Sequence, residues 1–325
     1  MNQSRIGLAH LPTPLEPADR LSAAWGGPTV WVKRDDLTGF GLSGNKVRKL
    51  EFHLAAALDA GADAVITCGA VQSNHCRATA LAAARVGLHT ILYLRSPDGQ
   101  PPEAVTGNHL LQRLAGAECR FITPAEYDDR DRIMEEAAAA RGSAWVIPEG
   151  ASDALGVLGF VAAMHEIAPQ LEDQGIVRPI IWHAASSAGT TAGMVRGAQE
   201  LGIDVEIVGS SVGDPAHEVE QRVRALLSAA ADRFGELVGE ARWRITDDYI
   251  GRGYGLSTPE EVAVQVEATR LTGMLFDPAY TGKVVYGLKR EIEQGRLTTA
   301  NHVVFWHTGG GFATFAYPDL ALGDR

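Results

Sequence analysis

Residues 179–194 read Pro179-Ile180-Ile181-Trp182-His183-Ala184-Ala185-Ser186-Ser187-Ala188-Gly189-Thr190-Thr191-Ala192-Gly193-Met194. The first five favour a strand, Met194 to Leu201 has helix-forming composition, and Ser186 to Gly193 between them are small, hydroxylated or glycine. A strand that feeds a helix through such a loop is the unit of a parallel sheet, where ligands collect at the carboxyl ends of the strands. Backbone N–H groups at a helix start, joined by Ser and Thr hydroxyls, can hold a phosphate without a nearby lysine. A tight packing turn is the other reading of these residues. The stretch matches neither the Walker pattern nor the dinucleotide glycine fingerprint.

On either side, short β-branched or aromatic runs recur at Thr29 to Val32, Ala64 to Thr67, Thr90 to Leu94, Ala144 to Ile147, Val205 to Gly209 and His302 to Trp306. Between them Val47, Leu50, Leu54 and Leu58 fall at helical spacing, as do Leu110, Leu111 and Leu114. This alternation predicts an open α/β fold with mostly parallel strands. At 325 residues, 46% hydrophobic, the chain holds core-forming material for about two domains.

A formal charge of -11 disfavours nucleic acid and anionic lipid, because either needs clustered Lys and Arg, and leaves a small molecule as the expected partner. Cys68, Cys76 and Cys119 lack any zinc or redox spacing, so no metal is expected and a reducing cytoplasm fits. Met1 to Leu11 shows neither signal peptide nor membrane anchor. No stretch reaches the roughly 20 uninterrupted apolar residues of a membrane span.

Three further loops are small, polar or glycine-rich: Gly41 to Lys46, Gly69 to Asn74 and Thr308 to Gly311. Among the lysines, Lys33, Lys46, Lys49, Lys283 and Lys289, Lys46 is best placed to anchor a Schiff base, since the neck Gly41 to Asn45 presents its amine at an expected helix start. A solvated lysine in a first helical turn is the bland alternative. In Val71 to Arg77 the backbone N–H groups can receive a carboxylate, Ser73 can carry a proton and Asn74 can donate to a phenolate-like oxygen; plain N-capping by Ser73 or Asn74 explains the same residues. His75 and Cys76 read as packing residues. Tyr254 in Gly251 to Gly255 and Tyr280 in Asp277 to Lys283 sit in irregular backbone, where they relay protons or merely pack. Lys283 reads equally as a surface charge.

In this order, Val32-Lys33-Arg34-Asp35-Asp36-Leu37, Ser43-Gly44-Asn45-Lys46, Gln72-Ser73-Asn74-His75, Gly189-Thr190-Thr191-Ala192-Gly193, Gly253-Tyr254-Gly255, Asp277-Pro278-Ala279-Tyr280-Thr281-Gly282-Lys283 and His307-Thr308-Gly309-Gly310 resemble the family of 1-aminocyclopropane-1-carboxylate deaminase and D-cysteine desulfhydrase, within the tryptophan synthase β-subunit-like pyridoxal-phosphate enzymes of fold type II. The resemblance is nearly chain-long. It implies two open, mostly parallel α/β domains with pyridoxal 5'-phosphate in the cleft between them: a large domain of residues 1–51 and 160–325, and a small inserted domain of residues 52–159. A homodimer associated through the large domain is also implied. Carried over by position, Lys46 would bear the cofactor, Asn74 would contact the ring hydroxyl, and Ser187, Ala188, Gly189, Thr190 and Thr191 would hold the phosphate. Thr308 would stand near the ring nitrogen. Ser73, Asn74, His75, Tyr254, Tyr280 and Thr281 would surround the substrate, with Lys46, Ser73, Tyr254 and Tyr280 catalytic. Family members usually carry Gly at the position of Ala188.

Ring-opening deaminases of this family resemble one another in having Glu after the tyrosine and Leu after the histidine, where this chain has Thr281 and Thr308, as in the desulfhydrase-like branch. A carboxylate near the pyridine nitrogen strengthens the electron sink and a hydroxyl does not, so a substrate with a good β-leaving group is expected. The resemblance therefore implies β-elimination on a small amino acid, D-cysteine first. L-cysteate or another β-substituted alanine, and 1-aminocyclopropane-1-carboxylate, are the alternatives within the family. A non-catalytic protein that binds a phosphate-bearing ligand is the alternative outside it.

Overall fold

The computed structural model describes residues 3–298 and 302–317. Its strands form two sheets. One has the order β1 (Leu15–Pro17), β2 (Thr29–Lys33), β10 (His302–Trp306), β7 (Ile180–Ala185), β8 (Glu206–Ser211), β9 (Arg242–Thr246). The other has the order β5 (Glu118–Ile122), β4 (His89–Arg95), β3 (Ala64–Ala70), β6 (Ala144–Val146). Every pairing is parallel except that of β1 with β2. The expected class, two mostly parallel α/β sheets, is what the chain forms.

The large sheet is apolar on both faces. Val30, Val32, Trp182, Val208, Val303 and Phe305 point into one core, and the alternate residues Ile181, Ile207, Val304 and Trp306 into another. Period-two alternation into two cores makes the strands read as continuous apolar runs, and each such side chain contributes about 1.5–3 kcal/mol by its burial. The runs that the sequence missed, β1, β5 and β9, are all sheet edges. Pro17 in β1, Glu118 and Arg120 in β5, and Arg242 and Arg244 in β9 leave a polar face to water, and edges bearing charge or proline avoid pairing with other chains.

The chain passes between the sheets twice, through the helices Lys46–Asp59 and Ala154–Asp173. The expected boundaries at 51/52 and 159/160 fall inside these two helices, which pack together so closely that a Cβ at Gly159 would lie 2.6 Å from the Arg48 carbonyl. Ala154–Asp173 is long and apolar enough to cross a membrane, yet Val157, Phe160, Met164 and Ile167 are completely buried in the cores. Its Glu166 meets a buried ion cluster. Arg48 grips Asp35 through two bonds, Nε to Oδ2 at 2.8 Å and Nη2 to Oδ1 at 2.7 Å, and also donates to Glu166 at 2.9 Å. Lys33 Nζ lies 2.6 Å from the same carboxylate. Burial opposes the charge on Glu166, but Arg48 and then Lys33 hold its pKa at about 2. The cluster locks the first turn of Lys46–Asp59, two residues from Lys46.

Candidate active site

A cleft opens where the carboxyl ends of β3, β6, β7 and β10 converge. Of the expected residues, Lys46, Ser73, Asn74, His75, Ser187, Ala188, Thr190, Thr191, Tyr280 and Thr308 line it. Gly189, Tyr254 and Thr281 do not.

Lys46 is the first residue of its helix, and the neck before it is held by backbone. Asn45 donates from its backbone N–H to the Thr308 carbonyl at 3.1 Å and from its amide to Thr190 Oγ1 at 3.0 Å. Gly44, at φ +116°, allows this approach: a Cβ there would lie 2.8 Å from the Thr308 oxygen, and one on Gly309 would lie 2.5 Å from the Gly44 Cα. Burial lowers the Lys46 amine to about 8, with Glu149 opposing the shift. The amine is therefore mostly protonated below that pH and mostly the free nucleophile above it. In the protein free of cofactor, an amine-directed reagent should label Lys46 with a pH midpoint near 8; a midpoint near 10.5, its ordinary value, would show an amine that is not desolvated.

The helix predicted from Met194 begins earlier, at Gly189, so the loop and helix start coincide. Ala188 precedes it at φ +65°, a left-handed conformation that costs a non-glycine residue roughly 1–2 kcal/mol, which explains why glycine suits that position. The Gly189 N–H donates to the Ser187 carbonyl at 2.9 Å, while Thr190 and Thr191, whose N–H groups have no partners within the helix, line the cleft with Ser187. The sequence reading needed no lysine here, yet Lys49 sits directly behind. Its buried Nζ donates to the Gly150 carbonyl at 3.2 Å and to Ser152 Oγ at 3.1 Å, and Ser152 in turn donates to Ser187 Oγ at 2.8 Å. A Cβ on Gly189 would come within 2.7 Å of that Nζ. Burial and then the charge of Lys46 push the Lys49 pKa well below its usual value. The signal for it was there: Lys49 is three residues beyond Lys46, on the same helix face.

Ser73 caps the helix Asn74–Arg85, its Oγ accepting from the Cys76 N–H at 3.2 Å while facing the cleft. Capping and a role in the cleft are compatible, since the hydroxyl hydrogen stays free to donate. The buried His75 ring reaches the Thr67 hydroxyl at 2.8 Å, and that hydroxyl donates to the Ile147 carbonyl at 2.7 Å. Nε2 must then carry the hydrogen. Burial, then the nearby lysines, hold the ring neutral, so any part His75 takes in binding a carboxylate falls to its backbone N–H. The Arg77 guanidinium is also buried and has no carboxylate partner among the described residues; it donates to the Gly41 and Ser43 carbonyls, and burial lowers it to about 10. Arg77 does not line the cleft, so what suits the cleft to an anion is Lys46 and the helix start at Thr190 and Thr191, with the Lys49 amine behind them.

Tyr254 reaches the site through Tyr280, with the two hydroxyls 2.8 Å apart. Burial raises both phenols, and for Tyr280 the neighbouring Tyr254 adds to it, so both are acids rather than bases near neutrality. Thr281 stands outside the cleft lining. Its hydroxyl donates to Asp277 Oδ1 at 2.8 Å and accepts from the Asp277 N–H at 2.8 Å, which ties it into the turn before the helix Thr281–Glu293. The surface reading of Lys283 is corrected. Its buried Nζ donates to the carbonyls of Ile250 at 2.8 Å and Leu256 at 2.9 Å and meets Glu261 at 3.2 Å, clamping the loop that carries Tyr254 to the helix that follows Tyr280.

The donor set fits pyridoxal phosphate: a desolvated lysine amine at one wall, a helix-start anion cradle backed by a second lysine, and an amide and a hydroxyl at the positions of Asn74 and Thr308. Comparison with known proteins agrees. A family model described as "Pyridoxal-phosphate dependent enzyme" matches residues 6–309. A D-cysteine desulfhydrase of Klebsiella pneumoniae is 41% identical over 319 residues, 96% of each chain, and one of Salmonella paratyphi A is 40% identical over 320 residues, again 96% of each. The crystal structure of an ACC deaminase homologue superposes with TM-score 0.87 at 36% identity, covering 99% of this chain and 96% of that one. A fungal L-serine ammonia-lyase from Rhizomucor miehei, at TM-score 0.65 and 18% identity over 93% of this chain and 94% of its own, shares the fold. By sequence match and by architecture, the chain belongs to the pyridoxal-phosphate dependent enzymes, in the family that holds D-cysteine desulfhydrase and 1-aminocyclopropane-1-carboxylate deaminase.

Proposed function

We propose that this enzyme is a D-cysteine desulfhydrase, converting D-cysteine and water to pyruvate, sulfide and ammonia. The observation that carries the reading is Thr308, whose hydroxyl lines the cleft where ring opening calls for a stronger electron sink, while Thr281 is turned onto Asp277. The curated desulfhydrases matched over nearly the whole chain support it.

Bound pyridoxal phosphate supplies the sink for the electron pair left on Cα. The chain's own residues do the rest. Ser187, Ala188, Gly189, Thr190 and Thr191 would hold the phosphate with Lys49 behind them, Asn74 would donate to the ring oxygen, and Thr308 would serve the ring nitrogen. Ser73 and the N–H groups of Asn74 and His75 receive the substrate carboxylate. Lys46, with its amine lowered to about 8, has roughly a tenth of its population unprotonated at pH 7, far more than an ordinary lysine, and takes the Cα proton. Tyr280, kept protonated and bonded to Tyr254, donates toward the departing sulfur. Division of the chain at 51/52 and 159/160 is supported by the four-stranded sheet, whose strands all lie between Ala64 and Val146. We further place the enzyme in the cytoplasm as a homodimer, with a second copy covering the exposed Phe40, Leu275 and Phe315.

The ACC deaminase homologue keeps ring opening as a second reading. Purified enzyme assayed for pyruvate on D-cysteine, L-cysteine, L-cysteate, 3-chloro-D-alanine and 1-aminocyclopropane-1-carboxylate decides between them. D-cysteine should give the highest kcat/KM. A higher value on the cyclopropane than on every β-substituted alanine would return the enzyme to the deaminases.

A further inference from the structure

Asn74 can serve the ring oxygen only if its amide presents nitrogen, and not oxygen, to the cleft. The two orientations have nearly the same shape, so something outside the cleft must choose. Asn108, completely buried at the second position of the helix Gly107–Leu114, is next to it.

The hydrogen bonds around Asn108 leave one arrangement. Its Nδ2 lies 2.8 Å from the Gln72 backbone carbonyl, which can only accept, so that atom must be the amide nitrogen. The same Nδ2 lies 2.9 Å from Asn74 and has a second hydrogen to give. The Asn74 atom facing it must therefore be Oδ1, and Asn74 Nδ2 is left for the cleft. The Gln72 side chain is fixed by the same logic, accepting from the Asn108 N–H at 2.9 Å and donating to the Thr106 carbonyl at 3.1 Å. Asn108 meanwhile leaves its own Oδ1 buried without a partner among the described residues, a loss of roughly 1–3 kcal/mol. Turning Asn108 over to seek relief would set oxygen against the Gln72 carbonyl.

We propose that Asn108 is a positioning residue that fixes the Asn74 amide with its N–H donors toward the cofactor ring oxygen. The inference rests on the cofactor site described above. An aspartate at 108 would offer only acceptors and turn Asn74 over to donate to it, so that a lone pair would meet the anionic ring oxygen. An alanine would leave Asn74 free to take either orientation.

The test is a double-mutant cycle on cofactor affinity, which needs no turnover. Apoprotein of the unaltered chain, Asn74→Ala, Asn108→Asp and the double variant is titrated with pyridoxal phosphate, read by the visible band and by borohydride-fixed label on Lys46. Asn108→Asp should weaken binding by about 10–100-fold, the scale of one hydrogen bond to a charged group. In the Asn74→Ala background the same change should cost clearly less, only what loss of the Gln72 carbonyl bond costs, because the residue through which it reaches the cofactor is gone. Equal losses in both backgrounds would mean that Asn108 merely supports the loop, and would overturn the proposal, as would unaltered affinity in Asn108→Asp. Should Asn108→Asp fail to fold, Asn108→Ala enters the same cycle with a smaller loss expected and the same criterion. Failure of the unaltered chain to label Lys46 would instead sink the cofactor site itself, so the two failures are distinct.

Discussion

Replacement of Lys46 by alanine should reduce kcat by about 10⁴-fold or more, because both the covalent anchor and the proposed Cα base are lost. The borohydride-reducible adduct should vanish with it, while some cofactor stays bound through the Ser187 to Thr191 cradle. Lys49→Met should behave differently: label still appears on Lys46, but the cofactor dissociates more readily because the cradle has lost the amine that donates to Ser152 and Gly150 behind it. Peptide mapping of the reduced protein checks both. A reduced adduct on Lys33, Lys49, Lys283 or Lys289 in the unaltered enzyme would refute the assignment of the anchor.

Lys283→Met should lower stability by roughly 3–5 kcal/mol, since it strands the Glu261 carboxylate in a site built for a pair and frees two loop carbonyls. The number is large for a residue outside the cleft, and thermal or denaturant unfolding reads it directly. Adding Glu261→Gln should recover part of the loss: it removes the stranded charge and keeps the capping box with Thr258, in which glutamine substitutes for glutamate. A double variant as unstable as the single one would show that the carbonyl bonds, and not the ion pair, make the clamp. Because the clamped loop carries Tyr254, the folded fraction of Lys283→Met should also turn over more slowly.

The contrast between these lysines shows where reading a sequence runs out. Lys46 was legible because its neck, Gly41 to Asn45, is local and its neighbours in the motif order are distinctive. Lys283 was not, because the Ile250 and Leu256 carbonyls that solvate it come from a loop some 30 residues away. The bonding of Thr281 had a local signal that went unread: Asp277 stands four residues before it, and an Asp–Thr pair at that spacing can close a helix start on itself. Strands followed the same division. Those buried on both faces announced themselves as unbroken apolar runs, and the polar edges β1, β5 and β9 did not. Asn108 had no signal at all, since its role depends on which end of a neighbouring amide points inward.

The strand order also sets a timetable for synthesis on the ribosome. The four-stranded sheet is complete once Val146 has emerged, but β10, late in the chain, belongs between β2 and β7, in the middle of the other sheet. Until residues 302–306 arrive, that sheet is two fragments with unpaired strand edges facing each other, the kind of surface on which nascent chains stick together. The neck before Lys46 waits as well, because the Thr308 carbonyl that receives Asn45 follows β10. An enzyme whose anchor lysine is made early thus cannot finish its cofactor site until residues 302–308 have been made. Partly made chains are left without a completed cleft, and therefore without a well-formed place to trap a reactive aldehyde.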